Sequence, residues 1–272
     1  MDNPDRGNFP YLYPIMQQIP IRTNISFSIR DIHDYMSGKD MVQSLHRHDF
    51  YYLLILEKGA GTHSIDFREY TISDHAVFLL RPGQVHAIHL HGSSTGYLIQ
   101  FNQSFDPSPL LRSTAQQNYY QLNKATPLCA QMLEEFTHQQ DQYEDVIRSL
   151  LHILFIQLIR VQETPAGNDQ LQTLQDLIAA NISQYKQVAD YAALMHLSPY
   201  QLNAITKSAL GKTCSTLINE HILLEAKRQL LATTNFVNEI AWQLGYEDVS
   251  YFIRFFKKHS GLSPEAFRQN FK

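Results

Sequence analysis

Apolar and polar residues alternate with a period of two from residue 25 to about residue 101. This alternation is typical of β-strands, whose successive side chains point to opposite faces of a sheet. Turn signals rich in Gly, Pro, Ser and Asp separate the apolar runs. Several short strands at near-regular spacing predict a β-barrel or a β-sandwich. The runs are ISFSIRDI, FYYLLILE, THSIDF, HAVFLL, QVHAIHL and YLIQF.

Helical periodicity replaces the strand pattern after Gln103. Within Thr126–Glu163 the spacing of apolar residues predicts a long helix with one apolar stripe. That stripe fits either a helix packed on its own barrel or a contact between two copies of the chain. Its members are at positions 146, 147, 150, 151, 154, 158 and 161. Before the strands, four prolines among residues 1–20 predict an extended arm.

The remainder of the chain is predicted to be all helical. Residues 165–168 combine Pro, Gly and polar residues, which indicates a linker. Lys186–Leu210 predicts a first helix-turn-helix, because Ser198 followed by Pro199 is a strong helix start. Ser215–Ala232 predicts a connecting helix.

The segment Val237–Arg268 predicts a second pair of short helices joined by a tight turn. Gly245 is suited to end the first helix, and Asp248 is placed to cap the second. A helix about 10–12 Å across fits the roughly 12 Å major groove of B-DNA. The spacing therefore fits a DNA-reading unit, and equally a packed hairpin with a charged face. The basic residues on the solvent side are Arg254, Lys257 and Lys258.

Length and charge support two domains, which we place at residues 1–164 and 169–272. The chain has 272 residues and a net charge of −4. Residues 1–168 hold 12 Lys and Arg against 17 Asp and Glu, whereas residues 169–272 hold 10 against 9. From Ser250 to Lys272 there are five basic residues and one acidic residue. The acidic average therefore conceals a basic C-terminal surface.

Cysteine usage and hydropathy bear on the compartment. The two cysteines lie in different predicted domains, which predicts no disulfide framework and suits a reducing cytoplasm. The start lacks the features of a secretory signal, and the longest apolar stretch is shorter than the roughly 20 residues that span a bilayer. We expect a cytoplasmic protein without a membrane partner.

The C-terminal segment carries a specific set of residues between positions 240 and 268. They are Ile240, Ala241, Leu244, Gly245, Tyr246, Ser250, Tyr251, Phe252, Arg254, Phe256, Lys257, Lys258, Gly261, Ser263, Pro264 and Arg268. This set closely resembles the signature of the AraC/XylS family of transcription regulators. The resemblance implies binding of double-stranded promoter DNA by two helix-turn-helices, an effector-sensing barrel, and a homodimer formed through Thr126–Glu163. The first unit departs from the family, with Ala204 and Thr206 where a large basic residue and Phe are usual.

The strand region is similar to the two cupin motifs, through His46-Arg47-His48, Gly59, Gly61 and the run from Pro82 to His86. A metal-binding cupin also needs a carboxylate four residues after His48, but Tyr52 stands there. The 2-His-1-carboxylate site of iron is therefore incomplete. We predict no metal and no cofactor, although three histidines still suit zinc. The predicted effector-binding residues are His46, His48, Tyr52 and His86.

These patterns predict an α+β protein that is a DNA-binding transcription regulator and not an enzyme. Its N-terminal domain is a cupin-like β-barrel with dimerisation helices, and its C-terminal domain has two helix-turn-helices and a linker helix. The alternatives are a cupin-type metalloenzyme with a DNA-binding tail and a constitutive DNA-binding scaffold. The effector and operator are not encoded in any recognisable motif. The predicted DNA-binding residues are Tyr200, Asn203, Lys207, Val249, Ser250, Arg254, Lys257, Lys258 and Arg268.

Overall fold

The computed structural model describes residues 26–114, 117–161 and 169–271. The predicted arm over residues 1–20 and the predicted linker at residues 165–168 lie outside these ranges. Both stay predictions, as do the domain limits 1–164 and 169–272.

Strands dominate the described residues up to Phe101 and helices dominate those after it, as the change of period predicts. The exceptions are a short helix at Ile32–Met36 and a short strand at Tyr119–Gln121. The strands are β1 (Phe27–Asp31), β2 (Met41–Arg47), β3 (Tyr51–Lys58), β4 (Gly61–Ile65), β5 (Arg68–Ile72), β6 (Ala76–Leu80), β7 (Val85–Leu90), β8 (Thr95–Phe101) and β9 (Tyr119–Gln121). The helices are α1 (Ile32–Met36), α2 (Pro109–Thr114), α3 (Thr126–His138), α4 (Tyr143–Arg160), α5 (Asp169–Asn181), α6 (Val188–Leu194), α7 (Pro199–Leu210), α8 (Cys214–Ala232), α9 (Val237–Gln243), α10 (Val249–Ser260) and α11 (Pro264–Asn270). None of these helices is long and apolar enough to cross a membrane.

Two antiparallel sheets form the N-terminal domain, with strand orders β1-β8-β3-β6-β9 and β2-β7-β4-β5. Strand β3 shows why its apolar run is nearly continuous. Its residues Leu54 and Leu56 pack between the sheets, whereas Leu53 and Ile55 face the core formed with α3 and α4. Both faces of the strand are covered, so both sets of alternating residues are apolar.

The apolar stripe on α4 was open to two interpretations, packing on the chain's own barrel or contact with a second copy. For most of its positions the structure shows packing on the barrel. Ile147, Leu150, Leu151, Leu154 and Leu158 are buried in the core against the sheet. The stripe is therefore explained largely by packing within one chain, and Leu154 and Leu158 give no support to a dimer contact. A second, exposed apolar set remains along this helix, formed by Val146, Ile153 and Ile156 together with Val161 directly after its last residue.

Local capping signals determine where the C-terminal helices begin and end. The Ser198 side chain accepts a hydrogen bond from the Gln201 amide at the start of α7, and Asp248 accepts one from Ser250 at the start of α10. Gly245 lies in the left-handed region with φ 72°. These three predictions are confirmed. Helix α8 begins one residue earlier than predicted, because Thr213 caps it.

Helix α8 packs against the N-terminal domain, a contact that the sequence did not predict. Arg228 donates from Nε to Asp66 Oδ1 at 2.9 Å and from Nη2 to Asp66 Oδ2 at 2.7 Å. Beside this pair, Ala232 of α8 packs on Leu45, Val85 and Ala87 of the barrel. The linker helix is therefore also a contact surface for the effector domain.

The turn between β4 and β5 reaches furthest into this contact. Asp66 and Phe67 both have positive φ, at 48° and 68°, as the two central residues of a type I′ hairpin require. The Phe67 ring lies 6.0 Å from the rings of Phe267 and Phe271, with Lys227 Nζ 5.8 Å from its centroid. The ring thereby joins the core of the C-terminal domain.

Gly245 also lies against the backbone of the turn between α5 and α6, which makes its replacement informative. A Cβ there would lie 1.6 Å from the Ser183 carbonyl oxygen, whereas one at Gly211, with φ 68°, meets nothing within 4 Å. We expect Gly211→Ala to cost about 1–2 kcal/mol through φ alone. Gly245→Ala should cost about 1–3 kcal/mol more, because the backbone must shift. Urea unfolding followed by circular dichroism measures both, and equal losses would contradict the close contact.

Candidate nucleic-acid interface and effector site

Helix α10 has the two faces that a DNA-reading helix requires. Phe252 and Phe256 are fully buried and anchor the helix on its domain. The opposite face carries exposed polar and basic side chains, and Val249 at its start is half-buried. The exposed predicted residues on this face are Ser250, Arg254, Lys257 and Lys258.

Arg254 is held only weakly by its neighbours. Its Nη2 lies 3.9 Å from Asp248 Oδ2, and both side chains are more than 60% exposed. Exposed ion pairs of this kind contribute about 0–1 kcal/mol. The guanidinium can therefore leave this position for a base edge or a phosphate at small cost.

Helix α7 presents a smaller reading surface. Tyr200 is 82% exposed and Lys207 is exposed, on either side of Ala204. Asn203 differs, because its amide bonds within the protein: Nδ2 donates to the Pro199 carbonyl, and Oδ1 accepts from the Cys214 amide, both at 3.0 Å. Asn203 thus ties α7 to the start of α8, and a contact with adenine would have to replace these bonds.

Arg268 also has internal partners, contrary to the expectation of a free phosphate contact. Its Nε donates to the Leu230 carbonyl at 2.9 Å, and its Nη2 donates to the Asn235 carbonyl at 2.6 Å. These bonds join α11 to the end of α8. Residue type and position gave no sign of this role, because both partners are backbone atoms more than 30 residues away in the chain.

The second candidate site lies between the two sheets of the barrel. His46 on β2 pairs in register with His86 on β7, and the His46 Nε2 atom lies 3.0 Å from His48 Nε2. One ring nitrogen from each of His46, His48 and His86 lies within 4.8 Å of the other two. The Tyr52 ring lies 5.2 Å from the ring of His86. The structure therefore brings all four predicted effector-binding residues together.

A fourth histidine belongs to this cluster. His63 on β4 is fully buried, and its Nε2 lies 3.0 Å from His86 Nδ1. The run THSIDF was recognised as a strand, but its pairing with β7, which brings His63 beside His86, is a long-range feature that the run does not show. His89 and His91 are exposed, and His89 Nε2 lies 3.1 Å from Asp40 Oδ2. They do not join the cluster.

Burial keeps these side chains uncharged at neutral pH. It lowers the pKa of His46, of His48 to about 4 and of His63 to about 3, and it lowers that of His86 well below the ordinary value. Burial also raises the pKa of Tyr52, so its phenol keeps the proton. Neutral imidazoles and a phenol can donate and accept hydrogen bonds or, through imidazole nitrogen, bind a metal.

Comparison with known families fits both halves of the chain. Residues 36–168 match the AraC-like ligand binding domain, and residues 191–270 match a helix-turn-helix domain. The chain belongs to the AraC family of transcription regulators. It therefore combines a ligand-binding domain with a DNA-binding helix-turn-helix domain.

Individual relatives of this AraC-family chain include HTH-type transcriptional activators named RhaS. Those from Yersinia pestis (strain Pestoides F) and Yersinia pseudotuberculosis serotype O:1b are each 28% identical over 244 residues, covering 82% of this chain and 88% of the relative. Among solved structures, unsaturated fatty acid bound ToxT from Vibrio cholerae is 18% identical, with a TM-score of 0.48 over 90% of this chain and 95% of that chain.

The contrast between Arg268 and the lysines of α10 can be tested. We expect Arg268→Ala to lower the free energy of unfolding by about 1–3 kcal/mol, because it removes two charge-assisted hydrogen bonds. It should leave the slope of log K for DNA against log salt unchanged. Lys257→Ala and Lys258→Ala should instead keep the stability, and each should reduce the slope by about 0.9 if it contacts a phosphate. A reduced slope in Arg268→Ala would restore it as a phosphate contact.

Proposed function

We propose that this AraC-family regulator is a one-component switch. A small-molecule effector binds between the two sheets against His46, His48, Tyr52 and His86, and it changes the binding of promoter DNA by α7 and α10. Since promoter DNA is the target, we place the protein in the cytoplasm.

The observation that carries the DNA-binding part is the division of α10 into two faces. Its buried aromatic face fixes the helix, and its other face exposes Arg254, Lys257 and Lys258 without strong internal partners. Arginine is the commonest bidentate reader of guanine in the major groove, and lysine is suited to phosphate. We therefore assign base reading to Arg254 and backbone contacts to the two lysines. Helix α7, with Tyr200 and Lys207 exposed, reads more weakly.

The proposed effector site is supported by a group of polar side chains that lies in an otherwise apolar region between the sheets. The four predicted residues lie among Leu54, Phe78, Ile88 and other apolar side chains between the sheets. A few convergent polar groups in an apolar interior are typical of small-molecule sites. The activator relatives favour a regulator over the alternative of a cupin-type enzyme with a DNA-binding tail.

Arg254→Ala tests the assignment of base reading. The DNA is a duplex site selected by the wild-type protein from a random library. We expect a loss of about 1–3 kcal/mol on this site and relaxed preference at one base pair, measured by fluorescence anisotropy. Lys58→Ala, which removes an exposed charge from the far end of β3, is the matched control and should change nothing. Equal losses on selected and random duplexes would make Arg254 a phosphate contact.

We also propose a homodimer formed through the exposed side of α4. Val146, Ile153 and Ile156 lie on this helix and Val161 directly after it, with 37–45% of their surface accessible. Exposed apolar residues recurring along one helix favour a contact with another protein surface. The segment is the one the family resemblance implies. Val146 and Val161 belong to the predicted stripe, whereas Ile153 and Ile156 do not.

Charge placed on this exposed set should separate the copies. We expect Ile153→Glu combined with Ile156→Glu to give monomers by light scattering with an unchanged circular dichroism spectrum. Val42→Glu, which places the same charge on an exposed apolar residue of β2 outside α4, should keep the dimer. Replacing Leu151 or Leu158 by a charge would instead unfold the domain, because both are fully buried. A dimer that persists in the double variant would move the interface to another surface.

A further inference from the structure

We propose that His46, His48 and His86 bind one divalent transition metal ion of the zinc class, with a coordination position left for an oxygen donor of the effector. This inference rests on the proposed effector site and names its chemistry. It reverses the prediction of no metal, which depended on the missing carboxylate at Tyr52. That carboxylate is needed for a 2-His-1-carboxylate iron site, whereas zinc sites with three histidines need none.

The first support is distance. Two nitrogens at about 2.05 Å from one tetrahedral ion lie about 3.3 Å apart. The Nε2 atoms of His46 and His48 are 3.0 Å apart, and one nitrogen of each of the three residues lies within 4.8 Å of the others. Small ring rotations would therefore bring all three to one ion.

The second support is the orientation of the rings. His46 Nδ1 lies 2.7 Å from the Ser44 carbonyl oxygen, which can only accept a hydrogen bond, so Nδ1 carries the proton. Nε2 of His46 is then left with its lone pair directed at His48. His86 Nδ1 has a similar neighbour in His63 Nε2, at 3.0 Å. Partners of this kind on the outer nitrogen are what orient histidine ligands in metal sites.

The third support is a set of three buried atoms without partners. Among the described residues of this cluster, His86 Nε2, His63 Nδ1 and the Tyr52 hydroxyl are buried and make no hydrogen bond. Buried polar atoms are nearly always paired, so three such atoms in one cluster indicate a ligand. A metal ion would engage His86 Nε2, and the Tyr52 hydroxyl is suited to donate to the oxygen ligand of that ion.

The ligand set favours particular ions and a particular partner. Three neutral imidazoles suit zinc, copper, nickel or iron better than magnesium or calcium, which prefer oxygen ligands. They also leave the charge of the ion uncompensated. An effector with a carboxylate or another anionic oxygen would therefore be bound more strongly than a neutral one.

Titration of the untagged full-length chain with Co²⁺ and Zn²⁺ after chelator treatment tests this site. Co²⁺ absorption and elemental analysis should give one ion per chain for the wild type. His48→Ala and His86→Ala should lose the bound ion, and His63→Ala should weaken binding about 10- to 100-fold. The control is His89→Ala combined with His91→Ala, which removes two exposed histidines at the same spacing as His46 and His48 and should bind like the wild type.

Two results would overturn the metal site: folded wild-type protein that binds no ion, or His86→Ala protein that binds as the wild type does. Circular dichroism confirms the fold, and His48→Gln with His86→Asn replace the alanine variants if those unfold. Binding of the selected DNA duplex separates this inference from the proposed function. DNA binding without metal binding refutes the metal site alone, and metal binding without DNA binding refutes the proposed function while keeping the site.

Discussion

The Asp66 carboxylate connects three separate parts of the chain. It accepts two hydrogen bonds from Arg228 on α8, one from the Gln84 side chain and one from the Val85 amide at the start of β7. The Arg228 and Asp66 side chains are only 16% and 13% exposed. Removal of Arg228 would leave the Asp66 charge buried without its ion-pair partner, whereas removal of Asp66 would leave Arg228 with Glu225, whose Oε2 lies 3.3 Å from Nη1. Breaking a buried pair by removing one partner costs more than an exposed pair contributes. The relative position of barrel and linker helix depends on this pair.

Strand β7 lies between this contact with α8 and the candidate effector site. Val85 and Ala87 pack toward Ala232 of α8, whereas His86 and Ile88 point between the sheets. One strand therefore contacts the DNA-binding domain with one face and the histidine cluster with the other. His86 lies on a covered face of this strand, and its contact with His63 gives one of its buried ring nitrogens a partner.

Structural features that depend on residues close in the sequence, such as helix caps, could be predicted. Contacts between residues far apart in the sequence could not. Ser198 and Asp248 cap helices through bonds to residues two or three positions away, so their roles are visible in the sequence. Arg268 and Asp66 look like surface charges in the sequence, and only the folded chain shows their partners. The stripe on α4 was recognised, but periodicity does not tell which apolar neighbours bury it. The barrel histidines His46, His48 and His86 were recognised through the similarity to the cupin motifs, whereas the contribution of His63 required the register between β4 and β7.

The Phe67 turn has a thermodynamic consequence. An L-residue in the left-handed region costs about 1–2 kcal/mol, and here its ring is packed against α11 of the other domain. Separation of the domains would expose that ring while the backbone cost remained. We therefore expect the two domains to share part of their free energy of unfolding. A ligand that binds only the folded barrel would then also raise the melting temperature of the helical domain, through linkage and without any change of shape.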